Sequence, residues 1–341
     1  MRVSWKLLLW IWMAGFGSLQ AQTCEGQLTT WSHPGSNPSF LALITGHYPR
    51  PSAATWEMLA GQQAKADIIG ARAATLLHAG KPAEALQLLE PQLRSLLQDS
   101  VADSAMAIGR MNDLEVGAMA ALADGKLDRA GELLTRALWL SNTPNRCRLR
   151  TEQLLVSYLK AYGTETPLFP NFNSGFYNYL SDSLKWNPKE PDSNGYLMAL
   201  NVVALAYQLD AQRQALYMEL LGDLLSKEPN RFNANYMAAL AYLRAGMVAG
   251  EGARAAYDRK AIFALEAPRQ AEYRFNQYRF TQLRKALQED VDSAAARQAT
   301  AEAADAQAIQ AGKDPLARFG GQSSEALVSA TFEDTDPGKL P

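Results

Sequence analysis

Two stretches of this chain, Gly80-Lys81-Pro82-Ala83-Glu84-Ala85 and Gly125-Lys126-Leu127-Asp128-Arg129-Ala130, write the same short phrase. Each follows an alanine-rich helical pattern and opens a second one, "ALQLLEPQL" and "AGELLTRAL". A glycine at a helix end supplies the left-handed turn, and the alanine five residues on lets two helices touch. A chain that repeats this phrase is committed to helical hairpins. Stacked hairpins build a solenoid, whose usual work is to hold other molecules. The expected fold class is therefore all-α.

Residues 1–21, MRVSWKLLLWIWMAGFGSLQA, read as a secretory signal peptide. Arg2 and Lys6 form the basic start, Leu7 to Gly17 the apolar stretch, and Leu19-Gln20-Ala21 the cleavage site. That stretch falls short of the about 20 residues that span a bilayer. An uncleaved anchor and a lipid on Cys24 are the alternatives, although Ala21-Gln22-Thr23 fits a lipobox poorly. The expected location is periplasmic or secreted, with outer-membrane association as a variant. Removing residues 1–21 leaves 31 basic against 35 acidic residues, a net charge of −4. No basic field is left to hold nucleic acid. No second apolar run reaches spanning length, so no transmembrane segment is expected in the mature chain. Cys24 and Cys147 are the only cysteines. An oxidising compartment allows them to pair, but two cysteines are no framework, and the sequence leaves paired and free forms both open.

Residues 22–51 are rich in Thr, Ser, Pro and Gly and read as an irregular lead-in, after which Ser52 can cap a helix running towards Ala79. Small residues then recur seven positions before a turn: Ala73 before Gly80, Ala118 before Gly125, Ala239 before Gly246. Ala204 stands likewise before Ala211, where the glycine is missing. Ala85, Leu89, Ala130, Leu134 and Ala137 follow the first two turns, and Asn187-Pro188 and Glu228-Pro229 look like unit ends. This pattern resembles the tetratricopeptide repeat (TPR) family over roughly residues 64–268. The resemblance implies a right-handed TPR-like solenoid of about five helical hairpins, closed by a C-terminal capping helix. The solenoid with its cap is expected over 52–291, the cap being a helix from 269 to about 291 with Tyr273, Phe280, Leu283, Leu287 and Val291 on one side. An alanine-rich extension and disordered tail are expected over 292–341, with the helix prolonged to about 310 and no large side chain left to dock it.

Chemistry-bearing constellations are scarce. His33, His47 and His78 have no ligand spacing, and no phosphate loop or nucleophile elbow is present. Ser157-Tyr158-Leu159-Lys160 spells a Ser-x-x-Lys pattern with no companion motif. No metal, cofactor or catalytic residue is expected. Arg146, Arg148 and Arg150 crowd one helix start and suit an anion or acidic partner. Phe169, Phe172, Phe176, Tyr177 and Tyr179 gather in and after an expanded turn. By helical phase from the packed alanines, Asn112, Glu115, Met119, Asn201, Gln208, Asn233, Tyr236 and Arg244 should face the concave surface. The implied function is a non-enzymatic exported scaffold or adaptor that binds a protein or peptide partner there. The alternative is a cell-surface glycan or small-ligand binder using the aromatic insert 169–179.

Overall fold

In the computed structural model the chain is described over residues 40–47, 50–65, 69–98, 107–141, 146–162, 175–185, 193–227, 234–266 and 277–319. The signal-peptide residues 1–21, Cys24, His33, Phe169, Phe172 and Asn233 lie outside them. Thirteen α-helices and no strand occur among the described residues. They are α1 (Phe40–Thr45), α2 (Ala53–Lys65), α3 (Ile69–His78), α4 (Pro82–Gln98), α5 (Ala107–Ala123), α6 (Leu127–Leu140), α7 (Arg146–Tyr162), α8 (Gly175–Leu184), α9 (Ser193–Leu209), α10 (Gln214–Leu225), α11 (Ala234–Ala249), α12 (Glu251–Leu265) and α13 (Gln277–Gln310). A 3₁₀ turn, Pro315–Phe319, follows.

The turn phrase folds as its residues dictate. Gly80 and Gly125 take φ of 76° and 80°. In each case the glycine N–H and the next N–H reach back to two carbonyls of the finished helix: Gly80 to Leu77 and Lys81 to Leu76, Gly125 to Leu122 and Lys126 to Ala121. This pairing satisfies carbonyls that a helix end otherwise leaves bare. At the glycine-free turn a side chain does the work instead, as Asp210 Oδ1 accepts from the Gln212 N–H at 2.9 Å. Gly246 behaves differently from the sequence expectation. Helix α11 runs through it to Ala249, and the turn falls at Gly250, with φ of 84°. A Cβ on Gly246 would stand 3.1 Å from Tyr257 Cβ. Its lack of a side chain serves a close crossing of α11 and α12 rather than a turn.

From α2 to α8, and again from α9 to α12, each helix packs against the next along the chain. Ala73, Ala118, Ala204 and Ala239 are all buried in one main core. Contacts beyond nearest neighbours are also present. Helix α9 packs on α3 and α5 as well as on α7 and α10, and α1 packs on α11 and α13. Leu43 and Ile44 of α1 are fully buried in the same core, so the lead-in is not wholly irregular.

The stretch from Ser52 to Ala79 forms two helices. Ser52 caps α2 by accepting from the Thr55 N–H at 3.1 Å. The closing helix α13 runs 34 residues, with Phe280, Leu287 and Ala294 buried along one narrow stripe. Beyond them, Asp305 Oδ2 accepts from the Ser52 N–H and the Thr55 hydroxyl, both at 3.0 Å. Leu316 in the 3₁₀ turn packs with Trp56 and Leu59. The expectation that no side chain is left to dock this extension is thus corrected at Asp305 and Leu316. One carboxylate and one leucine supply the anchors, which a search for large apolar runs overlooks.

Candidate functional site

The face expected to bind a partner divides in two. Glu115 and Met119 on α5 were placed facing outward by helical phase, and the structure corrects both: they are 0% and 1% exposed. Phase sets which side of a helix a residue occupies, not what covers that side. Here α3, α4, α6 and α9 all pack on α5. Arg148 of α7 completes the burial, its Nη2 donating to Glu115 Oε2 at 2.5 Å. The proposed arginine patch is corrected with it. Arg148 is buried between Glu115 and Glu152, whereas Arg146 and Arg150 are exposed and Arg150 donates to Gln153 Oε1. Cys147, between them in sequence, is disulfide-bonded, and Cys24, the other cysteine, lies outside the described residues.

The remaining candidates stay near the surface. Asn112, Asn201, Gln208 and Arg244 are half-buried, and Tyr236 is 40% exposed. Three of them carry a buried polar atom with no hydrogen-bond partner in the protein: Asn112 Oδ1, Gln208 Nε2 and Arg244 Nε. A desolvated donor or acceptor left unpaired costs about 1–3 kcal/mol. These three sit on α5, α9 and α11, each the first helix of its pair. The aromatic insert splits as well. Phe176 is fully buried and packs edge-on against Tyr158, while Tyr162 is 55% exposed, with Tyr158 and Tyr179 beside it.

Two buried charge clusters escaped the sequence reading as sites. The first joins Glu115, Arg148 and Glu152. Burial pushes both carboxyl groups above their ordinary range, Glu152 well above, with the neighbouring Glu115 adding to it. In the second, Glu219 and Asp223 on α10 meet Lys260 of α12. Tyr257 donates to Glu219 Oε2 at 3.1 Å, and Tyr242 donates to Asp223 Oδ1 at 2.8 Å. Burial raises both carboxyls, opposed by Lys260, and burial would lower Lys260 but the two carboxylates outweigh it. The signal was available: two acids four residues apart inside the otherwise apolar "ALYMELLGDLL" face one side of a buried helix.

No group of three or more metal-ligating side chains forms among the described residues. None of the described helices is long and apolar enough to cross a membrane. Comparison with protein-family models, with curated proteins and with solved structures returned no match to this chain.

Proposed function

We propose that the chain is a non-enzymatic, exported scaffold or adaptor of TPR-like helical-hairpin type, holding a protein or peptide segment against α5, α9 and α11. One observation carries the reading: Asn112 Oδ1, Gln208 Nε2 and Arg244 Nε lie on three first-of-pair helices with no protein group to satisfy them. Two donors and an acceptor without protein partners, each carried by a half-buried side chain, suit the mixed polarity of a peptide segment. Tyr236, exposed on α11, adds an aromatic contact of the kind that anchors interfaces. Export is part of the proposal and rests on the basic–apolar–small order of residues 1–21.

Photo-crosslinking from position 236 in intact cells, compared with the Asn112→Ala, Gln208→Ala, Arg244→Ala triple variant, tests the binding face. Loss of the crosslinked species in a variant that melts like its parent supports it. Turnover of a substrate by the purified protein would overturn the non-enzymatic reading. N-terminal sequencing of the mature chain should return Gln22 or a close neighbour, and retention of Met1 would overturn export. The second reading, a glycan or small-ligand surface, is favoured by one observation, the exposed ring of Tyr162 beside Tyr158 and Tyr179. A partner that depends on Tyr162 and ignores the triple variant would transfer the function there.

A further inference from the structure

Arg148 faces two buried carboxyl groups. Its Nη2 bonds Glu115 Oε2 at 2.5 Å, and its Nε stands 3.7 Å from Glu152 Oε1. The three side chains are 6%, 0% and 1% exposed. Apart from each other, Glu115 Oε1 and both oxygens of Glu152 find no hydrogen-bond partner in the protein. One cation balances one carboxylate. Ionising the second would place an uncompensated charge in the core, where neither water nor a donor can solvate it. The direct bond assigns the negative charge to Glu115, leaving Glu152 as the group that must be neutral.

Among the described residues, the surroundings supply no further cation. Helix α9, which packs on both α5 and α7, has no charged residue. On α6, Asp128 pairs with Lys160 of α7, Arg129 with Glu90 and Glu132, and Arg136 with the Leu96 carbonyl. On α4, Glu90 also holds Arg94, and Glu84 pairs with Lys81 at the helix start. Arg72 and His78 on α3, Asp113 on α5, Arg146 and Arg150 on α7 and Asp182 on α8 are the other acidic and basic groups described on these elements, beside the tyrosines Tyr158 and Tyr162 of α7, Tyr177 and Tyr179 of α8 and Tyr196 and Tyr207 of α9. Neither carboxyl takes a field contribution from any of them. Among the described residues, the only charges acting on Glu115 and Glu152 are Arg148 and one another.

We propose that Glu152 is a proton-binding site: the joint between α5 and α7 closes around a neutral Glu152 and loosens when that proton leaves. The proton is the occupant the site admits, because every oxygen around it is sealed from solvent. Its sign follows from linkage. A carboxyl raised in the folded state lends stability that is complete below the ordinary glutamate range. That stability is lost as pH rises through the raised value. The joint is therefore tightest in mild acid and weakest in base.

Thermal unfolding of the parent and of Glu152→Gln, followed from pH 5 to pH 9, tests this. Glutamine copies the shape of the protonated acid and has no proton to lose. The two proteins should melt together in mild acid, with the variant melting progressively higher as pH rises. An infrared difference spectrum at pH 7 should show a protonated-carboxyl stretch in the parent that is missing from the variant. Parallel pH curves, a variant that melts lower throughout or fails to fold at pH 7, or an unchanged infrared band would each overturn the proposal.

Discussion

The α5–α7 joint and the α10–α12 joint solve the same problem in opposite ways. Each buries two carboxyl groups against a single cation. Around Glu219 and Asp223 the chain provides a hydroxyl for each acid, Tyr257 for one and Tyr242 for the other, and Lys260 reaches both. Around Glu115 and Glu152 it provides only Arg148, and three carboxyl oxygens have no donor outside the pair. The difference shows what a buried acid needs beyond a counter-charge. Hydrogen-bond donors favour the ionised form of each member of a pair, whereas their absence leaves one member to keep its proton.

Removing the cation gives the largest expected effect. Arg148→Leu leaves two buried carboxyls with nothing between them and should cost about 3–5 kcal/mol in denaturant unfolding. Lys260→Met should cost less, because the tyrosine donors remain and Lys260 keeps 19% of its side chain in solvent. Equal losses, or the reverse order, would break the comparison. Next come the donors themselves. Tyr242→Phe strips a hydrogen bond from a carboxylate and should cost ~1.5–3 kcal/mol. It should also make the unfolding of the second joint depend more steeply on pH, as Asp223 then resembles Glu152.

Gly222 tests how tightly that tyrosine is held. A Cβ there would lie 2.7 Å from the Tyr242 ring. The ring cannot retreat freely, since its hydroxyl is bound to Asp223 and Lys260 lies 5.3 Å from its centroid. Gly222→Ala should therefore overpack the site and cost about 1–3 kcal/mol. A variant with parental stability would mean that Tyr242 is a replaceable donor. Smallest of all, Asn201→Ala, at a half-buried site outside both clusters, should stay within about 0.5 kcal/mol in the same measurement. A larger loss would tie the exposed edge of α9 to the core it covers.

What was legible in the sequence was local. Gly80 and Gly125 announce their turns because a left-handed backbone is a property of the residue itself. The packed alanines announce helix crossings because a small side chain is a local permission for close approach. Gly246 carries the same spelling and does another job, since Tyr257, eleven residues away, decides whether the helix ends there. Glu115 is the plainest case on the candidate site. Its position on α5 was readable, but the arrival of Arg148 from α7, 33 residues on, was not. Gln208 and Arg244 were readable as polar, and their missing partners only from the packing around them.

The hydrogen bonds from Ser52 and Thr55 to Asp305 span about 250 residues of chain. Arg297 also reaches His47, and α1 packs on α11 and α13. An array of hairpins that touch only their neighbours can gain or lose a unit and remain the same kind of object. A chain whose first and last described helices grip one another has no such freedom. Inserting or deleting a hairpin would carry Asp305 away from Ser52 and tear Leu43 and Ile44 out of the core. The number of hairpins between α1 and α13 is held by this clasp, so that stretch accepts substitution more readily than the gain or loss of a unit.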